Sequence, residues 1–298
     1  MQKFTLASIF VEGVPHPAIG VGSEYVRFSR ELARDYPTLK AVFEDWSAAF
    51  GRVAAFAEQV SHFADGSLRS PAVDVDLDMP IRFPNKIIGM GANFIDHLAE
   101  MGLPTVKYDP MPIFFMPPTT CMVGPGKTVI KPKTTQQFDW EIELAVVIGA
   151  RLKDASREQA SCGIAGYTIL LDMSARDLIQ IGPPFYVDLV RGKAQDTMAP
   201  CGPSVTPAAF IGDLRSLSMK LYVNDRLMQD SSTANMIFQI DEIISHITRY
   251  VTLEPGDIVS TGAPAGSGVF HNYFLRGGDR IRAQIENIGE LNVEVSES

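Results

Sequence analysis

Residues 138–149 hold the side chains whose types and spacing are best suited to chemistry. Their β-branched residues indicate a strand, and side chains two positions apart on a strand point to the same face. Glu141 and Glu143 therefore share a face, roughly 7 Å apart. Two such carboxylates repel each other and resist burial, and a divalent cation would relieve both problems. The alternative is a half-exposed strand with two solvated glutamates, and the stretch alone favours neither.

A third carboxylate, Asp172, ends the apolar run at residues 166–171 and would complete an oxygen-only site with the two glutamates. Three hard oxygen ligands with open positions suit Mg²⁺ or Mn²⁺ and disfavour zinc or copper. Arg176, Gln180 and Lys193 follow in the sequence. The two cationic residues, Arg176 and Lys193, would offset the charge of the carboxylates or hold an anionic substrate.

A candidate base lies earlier, at His97 and Glu100, which are three residues apart and so share a face of a helical turn. A carboxylate can orient an imidazole, which can then take a proton from water. The alternative is an ordinary histidine at an exposed helix end, and an isolated pair of this kind favours that alternative. His62, beside apolar residues of a predicted helix, is expected to be a structural histidine.

The composition excludes several classes of protein. The chain has 298 residues, of which 46% are hydrophobic and 20% charged, as in a globular protein with a core. The net charge of −9 argues against a binder of nucleic acid or of anionic membranes. Three cysteines without a CxxC pair indicate reduced thiols and a cytoplasmic protein. The N-terminus is not typical of a signal peptide, and no apolar run is long enough for a membrane span.

Familiar catalytic motifs are absent from the sequence. It contains no P-loop, no GxSxG and no HExxH, and Gly89-Met-Gly91 lacks the third glycine of a dinucleotide fingerprint.

The pattern of elements changes near residue 80. Residues 1–80 predict a small N-terminal α+β domain, with a turn at 13–15, a helix over 40–64 and a linker-like stretch at 65–71. Residues 81–298 predict a β-rich domain with long loops, a helix over 93–100 capped by Asn93, and a helix over 238–249. Strands are expected at residues 4–11, 18–22, 86–90, 113–115, 128–130, 138–149, 166–172, 217–223 and, as a hairpin, 279–295.

The order of these motifs resembles the fumarylacetoacetate hydrolase family, over residues 85–295. The residues that carry the resemblance are His97-x-x-Glu100, Asp139-Trp-Glu141-x-Glu143, Gly166-Tyr167-Thr168, Asp172-Met-Ser174-Ala175-Arg176-Asp177-x-x-Gln180, Lys193, Asp196-Thr197 and Thr261-Gly262-Ala263-Pro264-Ala-Gly266.

The resemblance implies a fold that is mainly β with some α, a mixed β-sandwich roll with a small N-terminal domain, and a homodimer. It implies Mg²⁺ or Mn²⁺ held by Glu141, Glu143 and Asp172, with Lys193 facing the metal-bound substrate. The metal chelates two oxygens of a 2-oxo acid or 1,3-diketone and stabilises an enolate as a carbon–carbon bond breaks. In hydrolytic members the histidine–glutamate pair activates water, often from a lid that orders on binding.

We therefore expect a metal-dependent hydrolase that cleaves a carbon–carbon bond in a β-diketone or acylpyruvate-like compound. Two alternatives stay open at this point. One is a 2-oxo acid decarboxylase or isomerase of the oxaloacetate or hydroxymuconate type. The other is a non-catalytic relative that binds a ligand.

The chain departs from the family pattern at two positions expected to lie near the substrate. Met116 stands where the family usually has lysine, and Ala263 where it usually has threonine. Arg176, Gln180 and Thr261 are the other residues that we expect to contact the substrate. A pocket that has lost a cation and a hydroxyl should hold an apolar group better than an acidic one. Residues 183–186 would add an apolar wall or form a surface loop.

Overall fold

The computed structural model of the chain describes residues 1–60 and 68–298, and it is mainly β with some helix, as predicted. His62 lies outside the described residues, as does part of the predicted linker. The rest of that linker includes a strand, Arg69–Pro71, because this segment pairs with the N-terminal sheet.

The strands of the described residues, in chain order, are β1 (Thr5–Val11), β2 (Val14–Val21), β3 (Glu24–Arg27), β4 (Arg69–Pro71), β5 (Leu77–Asp78), β6 (Ile87–Met90), β7 (Phe114–Phe115), β8 (Met122–Val123), β9 (Thr128–Lys131), β10 (Phe138–Asp139), β11 (Ile142–Ile148), β12 (Ile164–Leu171), β13 (Ser174–Ala175), β14 (Gln180–Gly182), β15 (Tyr186–Val187), β16 (Ala199–Pro207), β17 (Ser218–Val223), β18 (Arg226–Ser232), β19 (Ile258–Ser260), β20 (Arg280–Ile285) and β21 (Gly289–Glu297). The α-helices are α1 (Arg30–Asp35), α2 (Leu39–Glu44), α3 (Trp46–Gln59), α4 (Ile95–Glu100), α5 (Arg157–Cys162), α6 (Arg176–Ile179), α7 (Leu189–Lys193), α8 (Ile240–Thr248) and α9 (Gly268–His271).

Two sheets organise the described chain. The larger has twelve strands in the order β4-β3-β2-β1-β16-β12-β11-β19-β6-β7, with β5 beside β1 and β8 beside β16. The smaller has five strands in the order β18-β17-β20-β21-β9. Two short pairs, β10 with β13 and β14 with β15, lie outside these sheets.

Strand β11 runs through the centre of the larger sheet, between β12 and β19, and is buried along its whole length. Because side chains alternate, Leu144 and Val146 pack in one core cluster with the smaller sheet and α8. Ala145 and Val147 face the other cluster, which includes apolar residues of α2 and α3. A strand buried on both faces has to be apolar throughout, so the acidic Glu143 within it is exceptional.

The N-terminal segment joins the rest of the chain through both sheet and core. Strand β1 pairs with β16 at Leu6 and Val205. Phe43 and Val53, from α2 and α3, belong to the same core cluster as Ala145. The domain boundary near residue 80 stays a prediction.

Several local predictions differ from the structure. The helix predicted over 40–64 is divided into α2 and α3 at Asp45, whose backbone leaves helical angles while its carboxylate accepts a hydrogen bond from the Tyr36 hydroxyl. The strand predicted over 138–149 is interrupted between β10 and β11, where the N–H of Trp140 bonds the Asp139 side chain instead of a strand partner. Strand β2 begins before residue 18 because the hairpin turn lies at Glu12 and Gly13, both with positive φ.

The other predicted strands and the helix over 238–249 are confirmed, with shifts of a few residues at their ends. A turn at residues 224–225 joins β17 to β18, and the predicted hairpin over 279–295 is formed by β20 and β21. Within the described ranges, no helix is long and apolar enough to cross a bilayer.

Candidate metal centre and active site

Three carboxylates converge where β11 begins and β12 ends. Antiparallel pairing sets Ile142 opposite Leu171, so the next residue, Asp172, lies beside Glu141 and donates its N–H to the Glu141 carbonyl at 2.9 Å. Glu143 lies two residues further along, on the same face as Glu141. One oxygen from each carboxylate lies within 4.8 Å of the others, and all three residues are buried. The strand register therefore builds a compact, buried acidic cluster.

Two cationic side chains contact this cluster. The Lys193 ammonium lies 2.7 Å from Oε2 of Glu141 and also forms an ion pair with Asp172. The Arg176 guanidinium donates to Oε1 of Glu141 and to Oδ2 of Asp139, both at 2.8 Å. Helices α6 and α7, which carry these cations, therefore close over the strand ends.

Burial and neighbouring charge set the pKa values of the cluster. Burial raises the pKa of Glu143 to about 8, and the charge of Asp172 adds to this effect. Burial also raises the pKa of Asp172, to about 6, although Lys193 opposes it. Burial acts on Glu141 as well, but Arg176 and Lys193 outweigh it and lower the pKa of that carboxyl. Near neutral pH the cluster without a metal would therefore hold a proton, chiefly on Glu143.

The chemistry of these donors fits a hard divalent cation. Three carboxylates share two cationic side chains, and burial, with the charges of Asp172 and Glu141 adding to it, raises the pKa of Glu143 to about 8. Carboxylate oxygens without imidazole or thiolate favour Mg²⁺ or Mn²⁺. Glu141, Glu143 and Asp172 would hold the ion.

The cluster opens into a cavity of about 720 Å³. Its apolar wall is formed by Met90, Met101, Ile113, Phe115, Ile179, Leu189, Ala263, Val269 and Phe270. Its polar side chains are those of His97, Gln137, Glu141, Glu143, Asp172, Arg176, Asp177, Gln180 and Lys193. The cavity therefore combines the acidic cluster with a largely apolar set of other lining side chains.

Helix α4 brings a histidine to this cavity. Nδ1 of His97 lies 2.6 Å from Oε1 of Glu100, whose Oε2 accepts the N–H of Gly266 at 2.9 Å. Both carboxylate oxygens are thus engaged, which fixes the side chain of Glu100. In the tautomer that carries the proton on Nδ1, the other ring nitrogen, Nε2, is left to accept a proton.

Asn93, predicted as the cap of this helix, does something else. Helix α4 begins at Ile95 after Phe94, with no side-chain cap hydrogen bond. The buried Asn93 amide donates to the carbonyls of Thr261 and Phe238, at 2.8 and 3.2 Å, and accepts the N–H of Phe238 at 2.8 Å. A buried amide needs partners for its donors and its acceptor, and these two distant segments supply them. Asn93 therefore anchors the start of α4 to the loop after β19.

A sequence model of the fumarylacetoacetate (FAA) hydrolase C-terminal family matches residues 86–296. The chain belongs to the fumarylacetoacetate hydrolase family. Among its relatives is the mitochondrial oxaloacetate tautomerase FAHD2B of Bos taurus, 39% identical over 223 residues that cover 74% of this chain and 69% of the relative.

Two solved structures of another enzyme resemble the whole chain. The crystal structure of maleylpyruvate hydrolase from Sphingobium sp. SYK-6 has a TM-score of 0.80 and 30% identity, and covers 99% of this chain and 100% of its own. The structure of that hydrolase in complex with manganese(II) ion and pyruvate has a TM-score of 0.80 and 29% identity, with 99% of each chain covered. The likeness therefore extends beyond the part that the family model matches.

The structure gathers most of the residues that the family resemblance implied. One cavity is lined by His97, Glu141, Glu143, Asp172, Arg176, Gln180, Lys193 and Ala263. Thr261 lies behind the wall, where its buried hydroxyl donates to the carbonyl of Leu144 at 2.9 Å. Met116 is 52% exposed and is not among the described residues that line the cavity, whereas Ile113 and Phe115 of the same segment are. The roles assigned to these residues stay predictions.

Sequence reasoning missed the part played by Asp139. Its buried carboxylate accepts hydrogen bonds from Arg176 and from the N–H groups of Gly268 and Val269, at 2.5 and 3.1 Å. It thereby ties α6 to the start of α9, which carries Phe270 on the cavity wall. The signal in the sequence is that Asp139 is an acidic residue within an apolar stretch, where a buried carboxylate needs hydrogen-bond donors.

Proposed function

We propose that the chain is a metal-dependent hydrolase that cleaves a carbon–carbon bond in a β-diketone or acylpyruvate-like substrate. The observation that carries this proposal is that His97, backed by Glu100, shares one cavity with the carboxylate cluster. Hydrolysis of a dicarbonyl needs a base for water and positive charge at the carbonyl oxygens. The likeness of the whole chain to a maleylpyruvate hydrolase supports the same reaction.

Each cavity residue has a task in this reaction. A bound Mg²⁺ or Mn²⁺ would supply positive charge for the two oxygens of the dicarbonyl and stabilise the negative charge that develops on them. His97 takes a proton from water at Nε2, while Glu100 keeps the ring oriented and stabilises its charged form. The ring of Phe270, edge-on to His97 at 6.0 Å, limits its rotation. Lys193, at the cluster, orients the anionic head of the substrate.

A tautomerase or isomerase is the second candidate, and the identity of 39% to an oxaloacetate tautomerase favours it. In that reaction His97 moves a proton between carbon and oxygen of a 2-oxo acid and no carbon–carbon bond breaks. A decarboxylase on the same scaffold would release carbon dioxide instead. All three reactions need positive charge at the same oxygens, so the cluster alone does not distinguish them.

Product analysis separates these reactions. Acylpyruvates, 1,3-diketones and oxaloacetate would each be incubated with the protein and Mg²⁺ or Mn²⁺, and the products identified by NMR. We expect an acylpyruvate to take up one water and give a carboxylic acid and pyruvate. Enol–keto conversion of oxaloacetate without cleavage of any substrate would replace the hydrolase by the tautomerase. Absence of turnover across the set, with metal bound, would favour a ligand-binding relative.

The cytoplasmic location, the homodimer and the lack of nucleic-acid or membrane partners stay predictions. Light scattering on the purified protein would test the dimer. Because one relative is a mitochondrial protein, localisation needs a separate test.

A further inference from the structure

Charge is unevenly distributed over the wall of the cavity. Both permanent cations among its described lining residues, Lys193 and Arg176, lie at the acidic cluster and are ion-paired there. A further lining carboxylate, Asp177, takes no part in these ion pairs and accepts hydrogen bonds from Thr135 and from the N–H of Gln136. Positive charge is therefore concentrated where the head of the substrate would bind.

The other lining side chains offer little to a second anionic group. The apolar ones include Leu189, Ile179 and Ile113, and Gln137 and Gln180 add neutral amides. A neutral amide can hydrogen-bond a carboxylate but does not balance its charge. A carboxylate placed here would lose hydration without gaining a cation, which is costly.

The size of the cavity leads to the same conclusion. A volume of about 720 Å³ exceeds what a four-carbon 2-oxo diacid would fill. Pockets of this size hold ligands with extended apolar parts and a few placed polar groups. Ile179 packs closely against Gly192, where an added Cβ would lie only 2.1 Å from its Cγ1. The apolar wall is thus packed against the helix that carries Lys193.

We propose that the distal part of the substrate is an uncharged alkyl chain or ring, so that the substrate is an acylpyruvate-like compound with one carboxylate. This inference rests on the proposed function for the position of the dicarbonyl head. Leu189 and Ile179 are then residues that determine specificity. Met116, which the sequence marked as the substituted position, lies outside the cavity wall and contributes less.

Binding of unreactive 2-oxo acids tests this without requiring turnover. Calorimetry on the Mg²⁺-loaded protein would compare 2-oxohexanoate, which ends in a methyl group, with 2-oxoglutarate, which ends in a carboxylate. We expect 2-oxohexanoate to bind at least about 10-fold more tightly, as for modest apolar differences in a pocket. Equal binding, or tighter binding of 2-oxoglutarate, would overturn the inference. Because neither compound is cleaved, failure of the hydrolase proposal would be seen separately, in the product analysis.

A charge placed on the wall should reverse the preference. Leu189→Lys is expected to shift the ratio of the two affinities toward 2-oxoglutarate by about 10-fold or more. Val190→Lys is the matched control, since Val190 lies on the same helix, is 73% exposed and is not among the described lining residues. Equal shifts in the two variants would mean that net charge alone sets the ratio and would contradict the inference.

A milder variant covers the case in which Leu189→Lys does not fold. Leu189→Ala removes apolar contact without adding charge. It should weaken binding of 2-oxohexanoate by about 10-fold and leave that of 2-oxoglutarate unchanged. Equal weakening of both ligands would show that Leu189 supports the head of the substrate rather than its distal part, and would also contradict the inference.

Discussion

The carboxylate of Glu143 accepts a hydrogen bond from the backbone N–H of Gly262, with 2.9 Å between Oε2 and N. Gly262 has a φ of +91°, and a Cβ at this position would lie 2.9 Å from the Cβ of Asn93. Asn93 anchors the start of α4, the helix that carries His97. One loop glycine therefore touches a candidate metal ligand on one side and the support of the candidate base on the other.

Replacing Gly262 by alanine should weaken both the fold and the metal site. A non-glycine residue at this φ costs about 1–3 kcal/mol, and a forced close contact in a packed region costs about 1–3 kcal/mol more. We expect the free energy of unfolding, measured in urea, to fall by the sum of these terms. Affinity for Mn²⁺, measured by calorimetry, should fall too, because the N–H that orients Glu143 would shift.

Gly278→Ala is the matched control for this variant. Gly278 has the same φ of +91°, but a Cβ there would have no described heavy atom within 4 Å beyond its chain neighbours. We expect the free energy of unfolding to fall only by the cost of the backbone strain, about 1–3 kcal/mol, and the affinity for Mn²⁺ to stay unchanged. Equal losses of stability in the two variants would show that contact with Asn93 contributes nothing.

Removing one carboxylate from the cluster should abolish metal binding and activity. Asp172→Asn or Glu141→Ala deletes a charged ligand, and we expect Mn²⁺ affinity to fall by more than the roughly 10–100-fold that loss of an outer-shell partner costs. Chelation of the wild-type protein should inactivate it reversibly. Asp177→Asn is the control, since this carboxylate lines the same cavity outside the cluster. Normal Mn²⁺ affinity in the cluster variants would refute the assignment.

The contribution of Glu143 and Asp172 to the stability of the metal-free protein should fall as pH rises between about 4 and 8. The folded state raises the pKa of Glu143 to about 8 and of Asp172 to about 6, whereas unfolded carboxyls titrate near 4. Over this window these two carboxyls bind more protons in the folded state than in the unfolded state, so their contribution to the free energy of unfolding decreases with pH. The pKa of Glu141 is lowered, so its contribution to the free energy of unfolding changes with pH mainly below this window. Added Mg²⁺ should reverse the loss, because binding requires the deprotonated ligands. The difference in the free energy of unfolding between the wild type and Glu143→Gln isolates the share of Glu143, and a rise of that difference with pH would contradict the prediction.

Glu143→Gln should separate stability from metal binding. The amide keeps the shape of the side chain but carries no buried charge, so the pH-dependent loss of stability should become smaller and the metal-free protein more stable near pH 8. The same variant should bind Mn²⁺ poorly. Parallel unfolding and calorimetry would measure both effects, and a loss of stability in the metal-free variant would contradict the role given to Glu143.

The pairing of Glu141 with Glu143 could be predicted from the sequence because it depends on a local rule. Alternation along a strand puts Glu141 and Glu143 on one face whatever surrounds them. The position of Asp172 beside the two glutamates depends on the register of β11 and β12. Local sequence patterns do not give this register, and the grouping of the three carboxylates was implied by the family resemblance. Burial of the glutamates also needed tertiary structure, since a half-exposed strand has the same sequence pattern.

The cavity wall could not be predicted, because its residues come from elements that only tertiary packing brings together. Leu189, Ile179 and Phe270 lie on three short helices, and no periodicity relates them. Asn93 has the residue type and position of a helix cap. Its side-chain amide instead donates hydrogen bonds to two carbonyls that are distant in the sequence. At Asp45 a side-chain contact with Tyr36 interrupts a helix whose apolar spacing continues.

His97, the histidine of the His97–Glu100 pair, offers the most direct test of the proposed reaction. His97→Ala should lower kcat by about 10²–10⁴ with metal still bound, which is the usual cost of losing a general base. Glu100→Gln should cost less, because the imidazole remains, although a glutamine cannot accept from both His97 and Gly266 as Glu100 does. His16→Ala, on β2, is the control and should leave kcat unchanged. Steady-state kinetics on a substrate that the wild type cleaves, with Mn²⁺ occupancy measured in parallel, would distinguish loss of the base from loss of the metal. If His97→Ala kept near-normal turnover, water would have to be activated elsewhere in the cavity, and the part given to the His97–Glu100 pair would be wrong.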